Sequence, residues 1–453
     1  MSLVRAQKIG VAIFGIVFVA AILSVSLLVS QSAGFVLAIL GLLFVLVFLN
    51  IQLALLLVAA TLLAGQLLRV FPIGVSGAVL LADLMMVSVA TAWWLKQLAG
   101  RRQIFKTSLN VPIVFWLGLM VISLIPAIGS LGGGELLTSL SFVLRWAAYL
   151  TIFYILADLF QTNSGLKERY LNGAIIFASA LSMLGFIQLL FYPDLLFLER
   201  FGWDPHFNRL VSTFLDPNLL GGFLVVVLGL AVAKLWYARD KKSRFWLSLA
   251  VAIILAAIFL TFSRSAWLAL GVGFITFAWL RARWLILVGL AIGALAFVSP
   301  RVQERVEGAF QIDRSAQLRV ESWQAGFEIM KAKPIIGVGA NTLQYTRTQY
   351  TTDQTQIGRA ASGLDSSLLT AGAMTGTLGL VAYLVLWGQI FLLAWRRFRS
   401  SDRFSQMLGL AAFASFTALL THSFFVNSLF YPPVMVLVWF IMAMLVSNKE
   451  VQS

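Results

Sequence analysis

The sequence predicts an all-α protein, a polytopic transmembrane helical bundle of about 12–14 spans with both termini cytoplasmic and one long extracytoplasmic loop. Three observations predict it. Of 453 residues, 60% are hydrophobic and only 11% charged, whereas a soluble domain carries about 25% charged residues. Uncharged runs such as Val11 to Gln31, Leu171 to Phe191 and Phe245 to Phe262 each approach the ~20 residues that a helix needs to cross ~30 Å of hydrocarbon. Between such runs, Lys and Arg recur in short loops on alternate sides, the pattern left when basic residues resist translocation.

The first candidate span, 9–30, has an apolar stretch longer than the ~7–15 residues of a secretory signal, and many spans follow, so it is read as a retained helix. Further spans are expected at 33–49, 51–68, 77–96, 111–130, 140–158 and 171–192, then at 216–236, 245–262, 265–280 and 284–299, and finally at 367–394, 405–425 and 432–447. These divide the chain into N-terminal helices (1–192), central helices with a first outer loop (193–299), a long outer loop (300–366) and C-terminal helices (367–453). With the N-terminus inside, the cytoplasmic loops hold Lys96, Arg101, Arg102 and Lys106, then Lys167 and Arg169, then Arg239, Lys241, Lys242 and Arg244, and later Arg396, Arg397, Arg399 and Arg403. Arg69 is the main exception. The long outer loop holds a predicted amphipathic helix, SAQLRVESWQAGFEIMKAK, with Leu318, Trp323, Phe327 and Met330 near one face. It ends in the turn chemistry of PIIGVGAN and is suited to the membrane interface.

The net charge of +15 is scattered among interhelical loops rather than gathered on one soluble face, so no nucleic-acid partner is expected. There are no cysteines and two histidines, which excludes thiolate metal sites and argues against a histidine-rich metal centre. No cofactor is expected.

Candidate chemistry gathers at the outer ends. Arg209 in NRLVSTFLDPN, Arg264 in TFSRSAWLAL, and Arg314 and Arg319 in the long loop carry permanently charged forks suited to phosphate oxygens; snorkelling to lipid headgroups is the alternative reading. Arg264 sits between two apolar runs with no loop to dissolve it. For Arg145, within a span, an ion pair or a structural role fits as well. Asp216 and Pro217 read as a helix cap and first helical position. Asn218 then enters an apolar helix, where a buried amide needs partners. Asp365, followed by Ser366 and Ser367, reads either as an N-cap or as a general base that activates a hydroxyl. His206 is expected at the surface, and His422 in packing.

The segments RLVSTFLDPNLLGGFL, TFSRSAWLAL, RVESWQAGFEIMKAKPIIGVGAN and DSSLLTAGAMTGTLGLVAYL resemble, in order and spacing, the O-antigen ligase and polymerase superfamily, over roughly Arg209 to Leu384. The resemblance implies a GT-C-like enzyme of the inner (cytoplasmic) membrane, its active site facing the periplasm or exterior. Such enzymes move a glycan from undecaprenyl diphosphate, with inversion, to an acceptor sugar or glycolipid among membrane lipids. A ligase is implied first and a polymerase of O-antigen or exopolysaccharide second. Arg264 and Arg319 match the arginines that hold the donor diphosphate, whose developing charge needs stabilisation, in place of a divalent cation. Asp365 completes the expected catalytic set; Arg209, Asn218, Arg314, Trp323 and Ser366 are expected to bind substrate. Ligases commonly place a His-Asn pair where this chain has Asp365 and Ser366, and a carboxylate of pKa ~3.9 is a weaker base than imidazole at ~6.5 unless burial raises it. A flippase or small-solute transporter is the reading from another class; its helices should be broken near the midplane around polar sites, whereas these spans read as mostly uninterrupted.

Overall fold

The computed structural model describes residues 31–73, 77–100, 106–201, 203–310, 314–349 and 363–447. The predicted span 9–30 lies outside the described residues. Fifteen helices are labelled below: α1 Gln31–Leu49, α2 Ile51–Ala64, α3 Leu81–Ala99, α4 Asn110–Ile122, α5 Gly133–Thr162, α6 Gly165–Phe191, α7 Pro217–Tyr237, α8 Lys241–Leu260, α9 Arg264–Arg281, α10 Leu285–Phe297, α11 Pro300–Phe310, α12 Arg314–Ala332, α13 Ser367–Phe398, α14 Arg403–Ser423 and α15 Pro432–Val446. Seven helical segments among the described residues are long and apolar enough to cross a membrane, and the protein is a multi-pass membrane protein.

Each span forms because lipid leaves backbone groups no partner outside their own helix. The ends are set by local chemistry. Asn50 alone separates α1 from α2; its side-chain oxygen accepts from the amides of Gln52 (3.1 Å) and Leu53 (3.2 Å). Asp216 caps α7 in the same way, accepting from Asn218 (2.7 Å) and Leu219 (3.0 Å), with Pro217 as the first helical residue. One element was not foreseen. Residues Arg69–Ile73 (β1) and Gly77–Leu80 (β2) form an antiparallel hairpin before α3, where the sequence reading begins a helix at 77.

Contacts sort the loops into two ends. At one end Arg403 donates to the Tyr237 carbonyl (2.6 Å), Tyr237 to Gln406 (2.8 Å) and Lys234 pairs with Glu168 (3.0 Å). At the other, Thr213 donates to the Leu63 carbonyl (2.6 Å) and Arg209 to Thr261 (2.9 Å). Among the described residues, Lys167, Tyr237 and the Arg397 to Arg403 turn meet at the first end, and the hairpin strands, Asn208, α11 and α12 at the second, consistent with the span alternation.

The buried centre is α7, α14, α5 and α15, while α6 and α8 lie at the periphery. Without a hydrophobic driving force in lipid, helices associate through close packing and small residues. Ser415 of α14 donates to the Val226 carbonyl of α7 (2.9 Å) opposite Gly229, and Gly273 of α9 lies on Ala414 and Ala418. A second seam is aromatic, with Trp116 and Tyr383 centroids 4.6 Å apart and Trp146 edge-on to Trp439 at 5.2 Å.

The long loop is more structured than expected. It opens with α11, unanticipated, and α12 covers the predicted amphipathic segment but with a different inner face. Ser322, Ala325, Gly326 and Ile329 are buried, whereas Phe327, assigned to the apolar stripe, is 53% exposed. The reason is steric: α12 packs on α13, and a Cβ at Gly326 would come within 2.9 Å of Leu364, so small residues win the contact over large ones.

The expectation of uninterrupted spans is corrected at α13. Gly376 has φ 67° and ψ −170° and breaks the helix. The glycine-rich turn after α12 closes the gap: Thr377 and Leu378 donate to the carbonyls of Pro334 and Ile335, while Val338 and Gly339 donate to those of Ala373 and Met374 (3.0 and 2.9 Å). Non-helical backbone in a membrane protein persists where protein satisfies it, and here a loop from outside the helix does so.

Candidate functional site

At the loop-rich end, the turn between α8 and α9 is a reversal of three residues. Thr261 Oγ1 donates to the Ile258 carbonyl (2.7 Å) and accepts from the Ser263 amide (3.2 Å); Phe262 takes φ 47°, and Ser263 caps α9 through Ala266. Arg264 is therefore the first residue of α9, half-buried at the positive end of a helix. Ser263 Oγ also donates to Asn218 Oδ1 at 2.8 Å, the partner that a buried amide requires. Asn218 thus ties the first turn of α7 to the turn that carries Arg264.

His422 is fully buried, with Nδ1 3.2 Å from Ser428 Oγ. Its ring lies against Gly222, where a Cβ would stand 2.6 Å from Cε1. Gly222→Ala is accordingly expected to lower the thermal midpoint of the purified protein, at about 1–3 kcal/mol for an overpacked contact. Gly271→Ala, with nothing within 4 Å of its Cβ, serves as the neutral control.

Arg319 of α12 lies within electrostatic reach of both His422 and Asp365. Asp365 is held by its backbone: its amide donates to Ser322 Oγ (2.9 Å) and its carbonyl accepts from Trp323 Nε1 (3.1 Å). The capping reading of Asp365 is corrected here, because Ser366 is the N-cap of α13, accepting from Leu369, and its backbone is extended there. The Asp365 carboxylate accepts no hydrogen bond from the described residues. Its side chain is exposed. Burial raises its carboxyl above the usual range; Arg319 and Arg347 pull against that shift, and Asp216 and Asp204 add to it.

Arg347 was not foreseen. It is 7% exposed and donates to the Gly363 carbonyl (3.0 Å). Nothing in TLQYTRTQY distinguishes it from a solvated loop arginine, because the chain that buries it is distant in sequence.

The remaining candidates divide. Arg209 uses its fork on the carbonyls of Thr261 (2.9 Å) and Phe262 (3.3 Å), so it closes the end of α8 behind Arg264. Trp323 positions the Asp365 carbonyl and packs on Phe425 with centroids 5.7 Å apart. Arg314 begins α12, and its side chain lies outside the described residues. His206, expected at the surface, is buried at 9%, because its loop folds back on itself: the His206 carbonyl accepts from Leu195 (2.9 Å) and Asp194 bridges to Phe207. Among the described residues, no three of His, Cys, Asp or Glu come together as metal ligands.

The fold and site define a class: a multi-pass membrane protein with arginines and a carboxylate at one end of its bundle. The family comparison is more particular. Residues 249–384 match the family model described as O-Antigen ligase; this part of the chain is similar to that family, which supports a ligase/polymerase-type function in general terms. The matched stretch contains Arg264, Arg319, Trp323, Asp365 and Ser366; Arg209 and Asn218 lie before it. No curated protein matches the chain.

Proposed function

We propose that the protein transfers a glycan from undecaprenyl diphosphate to an acceptor hydroxyl, with inversion, in a recess on the side of the cytoplasmic membrane away from the cytoplasm. The observation that carries this reading is Asp365. It is spared from capping by Ser366, is exposed, and lies within electrostatic reach of Arg319 and Arg347. The orientation rests on the basic loops at the opposite end of the bundle.

In this reading the acceptor O–H gives its proton to the Asp365 carboxylate as its oxygen attacks the anomeric carbon. The bond to the diphosphate oxygen breaks on the opposite face, which inverts the centre. The electron pair leaves with the diphosphate, whose charge Arg264 and Arg319 hold through fork-shaped donors. Asn218 and Trp323 position these groups rather than touch the reacting atoms.

A base must be ionised to act, so transfer should appear as pH rises through the Asp365 pKa. Because that pKa is raised, the acid limb of kcat/KM should lie above the ~4 of an ordinary carboxylate. Asp365→Asn is expected to lose about 10²- to 10⁴-fold, and Asp365→His to recover transfer with its acid limb near ~6.5. Wild-type transfer by Asp365→Asn would remove Asp365 from the mechanism. Deletion with glycan profiling separates the two acceptors. Full-length polymer left on the lipid carrier indicates ligation, and single repeat units without long chains indicate polymerisation. An unchanged profile with altered solute uptake would overturn the enzyme reading.

A further inference from the structure

The turn that carries Arg264 is strained. Thr261 is the C-cap of α8, and the next residue, Phe262, takes φ 47°, the left-handed conformation that a helix end ordinarily gives to glycine. For a bulky residue this is an outlier, and such strain persists where the surroundings fix it. Two arginines do so here. Arg209 donates from Nε to the Thr261 carbonyl (2.9 Å) and from Nη2 to that of Phe262 (3.3 Å). Arg301 holds the ring: its guanidinium carbon lies 3.8 Å from the Phe262 ring centroid, well inside the roughly 6 Å reach of a cation–π contact.

Arg301 comes from the first turn of α11, the helix that opens the long loop, and it joins three segments. While its charge rests on Phe262, its Nη2 donates to the Asn208 carbonyl at 2.6 Å and to the Phe207 carbonyl at 3.3 Å. Asn208 also has a positive φ, 49°, and the loop just after it is tied to the end of α8 by the Leu210 amide, which donates to the Leu260 carbonyl (2.9 Å). An arginine that served only the membrane interface would extend to lipid headgroups. This one turns onto two carbonyls and an aromatic face. Glycine at 262 would relieve the strain but give Arg301 nothing to stack on, which accounts for a phenylalanine where the backbone favours glycine.

We propose that Arg301 is a positioning residue: it locks the α8–α9 turn and so sets the direction in which Arg264 leaves the first turn of α9. The proposal rests on the reading of Arg264 as a ligand of the donor diphosphate. Two measurements on the full chain in phosphatidylcholine nanodiscs test it. The chain has no cysteine, so a nitroxide attached at Arg264→Cys is unique; its spectrum should be immobilised with Arg301 present and become mobile with Arg301→Gln. Farnesyl diphosphate should bind Arg301→Gln about tenfold more weakly than the wild type. Phe262→Leu should repeat that loss, and Phe262→Tyr, which keeps the ring, should recover it. Arg301→Lys keeps a charge over the ring without the fork; it should lose part of the affinity and stands in if the glutamine variant does not fold. Because Arg301 acts through Arg264, Arg301→Gln/Arg264→Ala should bind no more weakly than Arg264→Ala alone. Unchanged label mobility in Arg301→Gln, or losses that multiply in the double variant, overturn the positioning role. Wild-type affinity in Arg264→Ala would overturn the diphosphate reading instead, while the label still decides whether Arg301 fixes the turn.

Discussion

Replacing Arg264 or Arg319 with alanine is expected to lower glycan transfer in isolated membranes by about 10²- to 10³-fold, the loss typical when one charge-stabilising donor is removed. Neither change should reduce the amount of folded protein. Arg264 follows the cap of α9 rather than forming it, since Ser263 makes the capping bond and the link to Asn218. Arg319 is only partly buried on α12, one turn before Ser322, so its long side chain is not part of the close contact that Ala325, Gly326 and Ile329 make. Lysine at either position should recover only part of the rate, because a point charge replaces a planar fork. The double variant should lose less than the product of the single losses if both groups hold one diphosphate. Measured initial rates decide the matter: full activity in either alanine variant would exclude that arginine from donor binding.

Gly376→Ala should abolish the folded protein or cost about 3 kcal/mol or more. The position has φ 67°, and an added Cβ would collide with the carbonyl of Ile335 and the amide of Ile336. Backbone atoms cannot move aside as a flexible side chain can. The collision would separate the break in α13 from the loop whose amides satisfy Ala373 and Met374, leaving carbonyls unpaired in the bundle. Asp365 and Ser366 stand at the start of the same helix, so activity should fall with stability. Gly388→Ala in the same helix has nothing within 4 Å of its Cβ and should leave the elution profile of fluorescently tagged protein unchanged. Equal profiles for the two variants would contradict this account.

Hydropathy read the bundle well because a span is a local property: about twenty apolar residues have one stable conformation in lipid. The predicted spans at 171–192, 216–236, 245–262 and 265–280 fall within a few residues of α6, α7, α8 and α9. The weakest was 284–299, where α10 has 13 residues and, at 1.5 Å per residue, runs only about 20 Å. The hairpin at 69–80 was missed because its apolar residues resemble the start of a span.

The composition and apolar runs by themselves determined a multi-pass helical protein, and the ordered motifs carried the resemblance to the O-antigen ligase and polymerase superfamily; both signals are carried by contiguous residues. Only the tertiary structure decided which polar groups meet. It freed Asp365 by giving the cap to Ser366, turned Arg209 onto the end of α8, buried Arg347 near Asp365, paired Arg145 with Asp83 across 62 residues, and satisfied the break at Gly376 with a loop forty residues earlier in the chain. Hydrogen bonds and ion pairs between distant segments depend on helix packing, and that geometry leaves no periodic mark in the sequence.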